Sequence, residues 1–252
     1  MPSCLKSRFS GRMATSYLRI NRGWASSLMR RSRPSTPTPD LFSSRCWTHR
    51  SSLRNDNFLD GAPGLDEAFE GLLDFVQWHV AVVATANVFE AARQGGANRV
   101  IFFSSMHVNG LYERDAPYSA IAQGNYQGLT PDRIPLVTHE MPVRPDGPYA
   151  VSKIFGEALG RYYAEEYGMV VICVRLGTAG EDDRPVDDAR SYVSWVSHRD
   201  LADMVERCID VEGITYDIFY GASDNTWKIY DTPRAWRVLG FLPQDNAENF
   251  RR

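Results

Sequence analysis

Apolar positions fall into order only from residue 65 onward. Over LDEAFEGLLDFVQWHVAVVATANVFEAARQGG (65–96) acidic residues come early and apolar ones recur at helical spacing. Leu72, Leu73, Val76, Val80 and Val83 form one stripe, Val88, Phe89 and Ala92 a second, and Gly95-Gly96 stops the pattern. This predicts an amphipathic helix that buries those stripes. RVIFFSSM (99–106) is a short apolar run ending in two serines, the mark of a strand covered on both faces. Residues 107–147 carry turn and proline signals throughout, a length that points to function rather than mere connection. A helix over 148–167 closed by Gly168, a buried strand over 169–177 and an acidic loop over 178–190 follow. Then come a helix around 199–210, a strand over 214–223 and a short helix over 231–241, with Asp231 or Thr232 as cap and Pro233 in its first turn. Strands alternating with helices predict an α/β fold, a parallel sheet with helices on both faces.

The segment 1–60 differs from this. It is rich in Arg and Ser, as in RRSRPSTPTPD (30–40), and has neither strand nor helix periodicity. Residues 1–57 hold eleven Lys/Arg against two Asp/Glu, a charge of +9, while 58–252 hold seventeen against twenty-nine, or −12, giving −3 for the 252-residue chain. A transit peptide, a disordered basic arm and a mistranslated stretch all fit that composition. The overall charge of −3 argues against generic nucleic-acid binding. Cys4, Cys46, Cys173 and Cys208 have neither disulfide nor metal spacing, and HEMPV (139–143) is not HExxH, so a reduced, cytoplasmic protein without a metal is expected. No apolar run approaches the roughly eighteen residues that a membrane span needs.

The chemistry concentrates in GPYAVSKIFGEAL (147–159). Tyr149 and Lys153 lie four apart on the predicted helix and therefore on one face. An ammonium beside a phenol favours the phenolate, which is expected to lower the Tyr149 pKa toward working pH and let it exchange a proton with a substrate hydroxyl. The strand ending in Ser104-Ser105 adds a hydroxyl, since open α/β sheets bind ligands at the carboxyl ends of their strands.

FFSSMHVNG (102–110), RPDGPYAVSKIFGEAL (144–159) and VRLGT (174–178) resemble the extended short-chain dehydrogenases/reductases of the epimerase/dehydratase branch. SYVSWVSHRDLADMV (191–205), FYGASDN (219–225) and RVLGFLPQDNAENF (237–250) are similar to the uronate dehydrogenases and related sugar dehydrogenases. The resemblance spans about residues 70–252 and implies a Rossmann-like, doubly wound sheet. It implies that Ser105, Tyr149 and Lys153 are catalytic, with Ser104, Tyr149 and Lys153 toward the cofactor. It places Ser105, Met106, His107, Thr178 and Arg190 around the substrate, Arg190 gripping a carboxylate with its planar fork. Met106 stands where uronate dehydrogenases have an asparagine, Ala81 and Ala84 replace an Asn and a Gly, and the loop 111–147 is longer.

The resemblance also implies NAD as cofactor, with NADP left open, a sugar or sugar-acid substrate, a lactone product and a homodimer paired through helices 70–94 and 148–167. A sugar-nucleotide epimerase/dehydratase and a non-catalytic relative are the alternatives. The family's GxxGxxG phosphate loop is missing: Gly11 and Gly23 follow no apolar strand, and GAPG (61–64) is a turn. Ser105 nonetheless sits about as far from the start as the family places it, so a mistranslated first segment is the favoured expectation. On that expectation the chain binds NAD weakly and leaves an apolar sheet edge uncovered.

Overall fold

The computed structural model describes residues 65–251, with side chains from residue 78. The Arg/Ser-rich segment 1–60, Cys4, Cys46 and the side chains of Leu72, Leu73 and Val76 lie outside the described residues, as does the expectation of mistranslation. Three parallel strands, β1 (Arg99–Ser105), β2 (Val170–Leu176) and β3 (Tyr216–Gly221), form a sheet in the order β1-β2-β3. Each strand lies within two residues of its predicted ends. Helix α1 (Leu65–Gln94) precedes β1, and two shorter elements follow it, a 3-10 turn over Met106–Arg114 and α2 (Tyr118–Ala122). Helix α3 (Pro148–Tyr167) connects β1 to β2. Helices α4 (Ala189–Ser194) and α5 (His198–Asp210) connect β2 to β3, and α6 (Pro233–Leu239) follows.

Alternation along β2 explains the layering. Val171 and Cys173 face α1 and α3 with Phe89 and Tyr163, whereas Ile172 and Val174 face α5 and α6 with Met204 and Phe219. Both faces are therefore covered, as the apolar runs predicted, and the fold is the α/β, Rossmann-like one. Helix α3 lies unusually close to β1: a Cβ on Gly156 would sit 2.1 Å from Cζ of Phe102. Pro148 occupies its first turn and Gly168, at φ 67°, ends it in the left-handed conformation, as the sequence led us to expect.

Two expectations change. Val80, at 61% exposed, and Val83 and Val88 face outward on α1, while Phe89 is buried. Val80 and Phe89 lie nine residues apart, half a turn out of phase, so only one of the two apolar stripes can meet α3. The acidic segment after β2 is not all loop. Asp188 caps α4 by accepting a hydrogen bond from the Ser191 backbone N–H, and Arg190 sits in that helix. Of the two expected caps for α6, Thr232 makes no side-chain bond, and Asp231 accepts the Arg234 backbone N–H at 3.2 Å. Among the described residues β1 pairs with β2 alone, and Phe103 on it is 40% exposed, in line with an uncovered edge. No helix among them is long and apolar enough to cross a membrane.

Candidate active site

The site grows from the carboxyl end of β1. Ser105, the last residue of that strand, is buried and caps the following 3-10 turn by accepting the His107 backbone N–H at 3.2 Å. Its hydroxyl also neighbours the Tyr149 phenol, on the side that favours the phenolate. One turn further along α3, Lys153 donates from Nζ to the Phe103 carbonyl at 2.8 Å, and Nζ lies 5.5 Å from the centre of the Tyr149 ring. The strand end thus brings Ser105, Tyr149 and Lys153 together, with Tyr149 41% exposed.

The electrostatics differ from the simple expectation. Burial pushes the Tyr149 phenol up, and the Ser105 hydroxyl pulls it back. Burial pushes the Lys153 amine down. The depressed tyrosine pKa expected from the four-residue spacing is absent because burial outweighs the pull toward the phenolate. Ser105 is the group that favours the phenolate.

A second polar group adjoins this one. The His107 ring meets the Tyr149 ring edge-on, with centroids 5.9 Å apart. His107 Nδ1 lies 2.6 Å from Asp146 Oδ2. Arg190 Nη2 lies 3.5 Å from the same His107 nitrogen and 3.7 Å from Asp146 Oδ2. Arg190 Nε donates to Glu113 Oε2 at 2.6 Å, and Tyr230 donates to Glu113 Oε1 at 2.7 Å. Burial pulls most strongly against the Arg190 charge, but Glu113, Tyr230 and Asp146 together outweigh it and hold the guanidinium above its usual value. Asp146, Glu113 and Tyr230 were not singled out by sequence. Their pairings span 39, 77 and 117 residues, and no local pattern encodes them.

Three anticipated site residues stand apart. Ser104, next to Ser105, points beneath α3, where its hydroxyl donates to Glu157 Oε1 at 2.6 Å. Strand alternation separates the two serines and turns Ser104 toward Glu157. Met106 is buried in an apolar cluster with Tyr112, Ile121 and Val137, and its side chain does not join the polar group. Thr178, exposed just past β2, bonds Ser194 Oγ at 3.2 Å, and Ser194 in turn donates to the Arg190 carbonyl at 3.2 Å. It supports the helix that carries Arg190.

The chain is 36% identical over 166 residues to an NAD-dependent glucose-6-phosphate dehydrogenase of Haloferax volcanii, covering 66% of this chain and 60% of that one. It is 31% identical over 191 residues to a uronate dehydrogenase of Pseudomonas putida, covering 76% and 61%. Among solved structures it is similar to uronate dehydrogenase from Agrobacterium tumefaciens, with TM-score 0.52, 30% identity, and 66% and 54% of the two chains covered. The chain thus spans about 60% of the length of these curated relatives. Residues 64–199 match the model of one family, and by that match over more than half of its length the chain belongs to the NAD dependent epimerase/dehydratase family.

Proposed function

We propose that this protein is an NAD-dependent oxidoreductase that oxidises a ring hydroxyl of a sugar or sugar acid, at the anomeric carbon, to a lactone. The observation that carries the reading is the meeting of Ser105 and Tyr149 at the end of β1, with Lys153 one turn away. Ser105 orients the substrate oxygen, and Tyr149 accepts the hydroxyl proton as general base. Lys153 offers its ammonium to the cofactor ribose beside Tyr149. The partly exposed phenol and the neighbouring amine fit the ribose end of a nicotinamide cofactor, and Ser104 does not. When bound, that cofactor supplies the hydride acceptor. The phosphate-binding part of the cofactor site falls on residues outside the described ones. NAD rather than NADP follows from membership of an NAD dependent family.

A homodimer paired through α1 and α3 belongs to the same proposal, supported by the outward-facing Val80, Val83 and Tyr162 on those helices. A cytoplasmic setting is supported by the free thiols of the buried Cys173 and Cys208. The test is a screen of the purified chain with NAD against free hexoses, uronates and UDP-sugars, following NADH. Net NADH from a free sugar or uronate is expected. Interconversion of UDP-sugars without net NADH would favour the epimerase alternative, and absence of both turnover and NAD binding the non-catalytic one.

A further inference from the structure

We propose that the substrate is an uncharged sugar rather than a sugar acid, and that Glu113 is the residue that decides it. The proposal rests on the oxidoreductase reading and narrows its substrate class. The family resemblance gives Arg190 the task of gripping a carboxylate, which needs the two parallel N–H groups of its fork. Here Glu113 holds the Nε end of that fork. Nε donates to Glu113 at 2.6 Å, and Nη2 faces His107 Nδ1 at 3.5 Å and Asp146 Oδ2 at 3.7 Å.

Glu113 does not swing away at small cost. Its side chain is only 13% exposed, and its second oxygen accepts the hydroxyl of the buried Tyr230 at 2.7 Å. An incoming carboxylate would displace the Arg190 bond and leave the largely buried Glu113 charge without its cationic partner. It would also meet two carboxylates, Glu113 and Asp146, against the single guanidinium of Arg190. A sugar phosphate meets the same obstacle with more charge. A neutral sugar suits the group better, because each hydroxyl both donates and accepts. The carboxylate oxygens of Glu113 and Asp146 retain lone pairs for such donors, and His107, which Asp146 binds, meets the Tyr149 ring edge-on.

D-Galactose and D-galacturonate make the cleanest pair of probes, since they differ only in a hydroxymethyl against a carboxylate. Their affinities for the full chain are measured by titration calorimetry or saturation-transfer NMR, without cofactor, and NADH formation is measured separately. Tighter binding of galactose is expected. Glu113→Gln, nearly isosteric, frees the Arg190 fork and shifts the affinity ratio toward galacturonate by about tenfold. Tighter galacturonate binding by the unmodified chain overturns the proposal. So does saturable binding of neither sugar, or an unchanged ratio in a folded Glu113→Gln chain. Should that variant not fold, the ratio in the unmodified chain decides alone. Galactose binding without NADH formation would sink the oxidoreductase reading and leave the binding preference standing. Turnover that prefers galacturonate would do the reverse.

Discussion

Ser104 and Ser105 are neighbours on one strand, yet they serve two different regions. Ser104 belongs to a closed polar network beneath α3. Opposite it in the sheet register is Arg175, which is 1% exposed and binds both oxygens of Glu157 at 2.9 Å. Arg175 also donates to the Tyr220 hydroxyl at 3.1 Å, which accepts from Asn109 at 2.7 Å. Every charge there is matched within the protein, as a buried ion pair requires. Ser105 belongs to the open group, where Tyr149 and His107 reach solvent and the carboxylates keep capacity for a ligand. One region fixes α3 on the sheet, and the other uses the position so fixed. A hydroxyl becomes functional here through the strand face it occupies, not through its residue type.

The contrast breaks most strongly at Glu157. Glu157→Ala leaves Arg175 buried and unpaired and is expected to cost about 3–5 kcal/mol, read by urea unfolding. Tyr149→Phe acts on the other region. It is expected to lower kcat/KM by about 10²–10⁴-fold while leaving the unfolding midpoint close to that of the parent, because only a hydroxyl is lost. Gly156→Ala pushes α3 off Phe102. Overpacking of this kind costs about 1–3 kcal/mol in the same unfolding experiment. The smallest effect is expected for Ser104→Ala, about 1 kcal/mol of stability with kcat within a few-fold of the parent. Ser105→Ala, by contrast, is expected to lower kcat at little cost in stability. Equal kinetic losses in the two serine variants would erase the distinction between the regions.

Much of the frame was legible in the chain. Short apolar runs gave β1 and β2, and Pro148 and Gly168 bounded α3. Tyr149 and Lys153 met on one helical face because the helix period requires it. Arg175 carried a readable signal, a charge inside the apolar run VVICVRL, which implies a buried partner. Which partner it has depends on how α3 lies across the sheet, and that is tertiary information. Helix α4 was readable through Asp188 as a cap, but its six residues are too few to show periodicity. The pairing of Arg190 with Glu113 was not readable, since the two stand 77 residues apart and neither lies in an apolar pattern. The outward face of α1 was hidden for a different reason. Two stripes of valines compete on that helix, and only packing against α3 selects between them.

The central claim is that Tyr149 moves the substrate proton from a partly exposed setting in which Ser105, rather than Lys153, favours the phenolate. Burial holds the phenol above its ordinary value, so its base form grows as pH rises toward that value. The most direct measurement is the pH dependence of kcat/KM for sugar oxidation by the full chain and by Tyr149→Phe. The account predicts a rate that climbs through the alkaline range in the parent and a low, flat profile in the variant. A Tyr149→Phe chain that keeps both the rate and the pH dependence of the parent would contradict it.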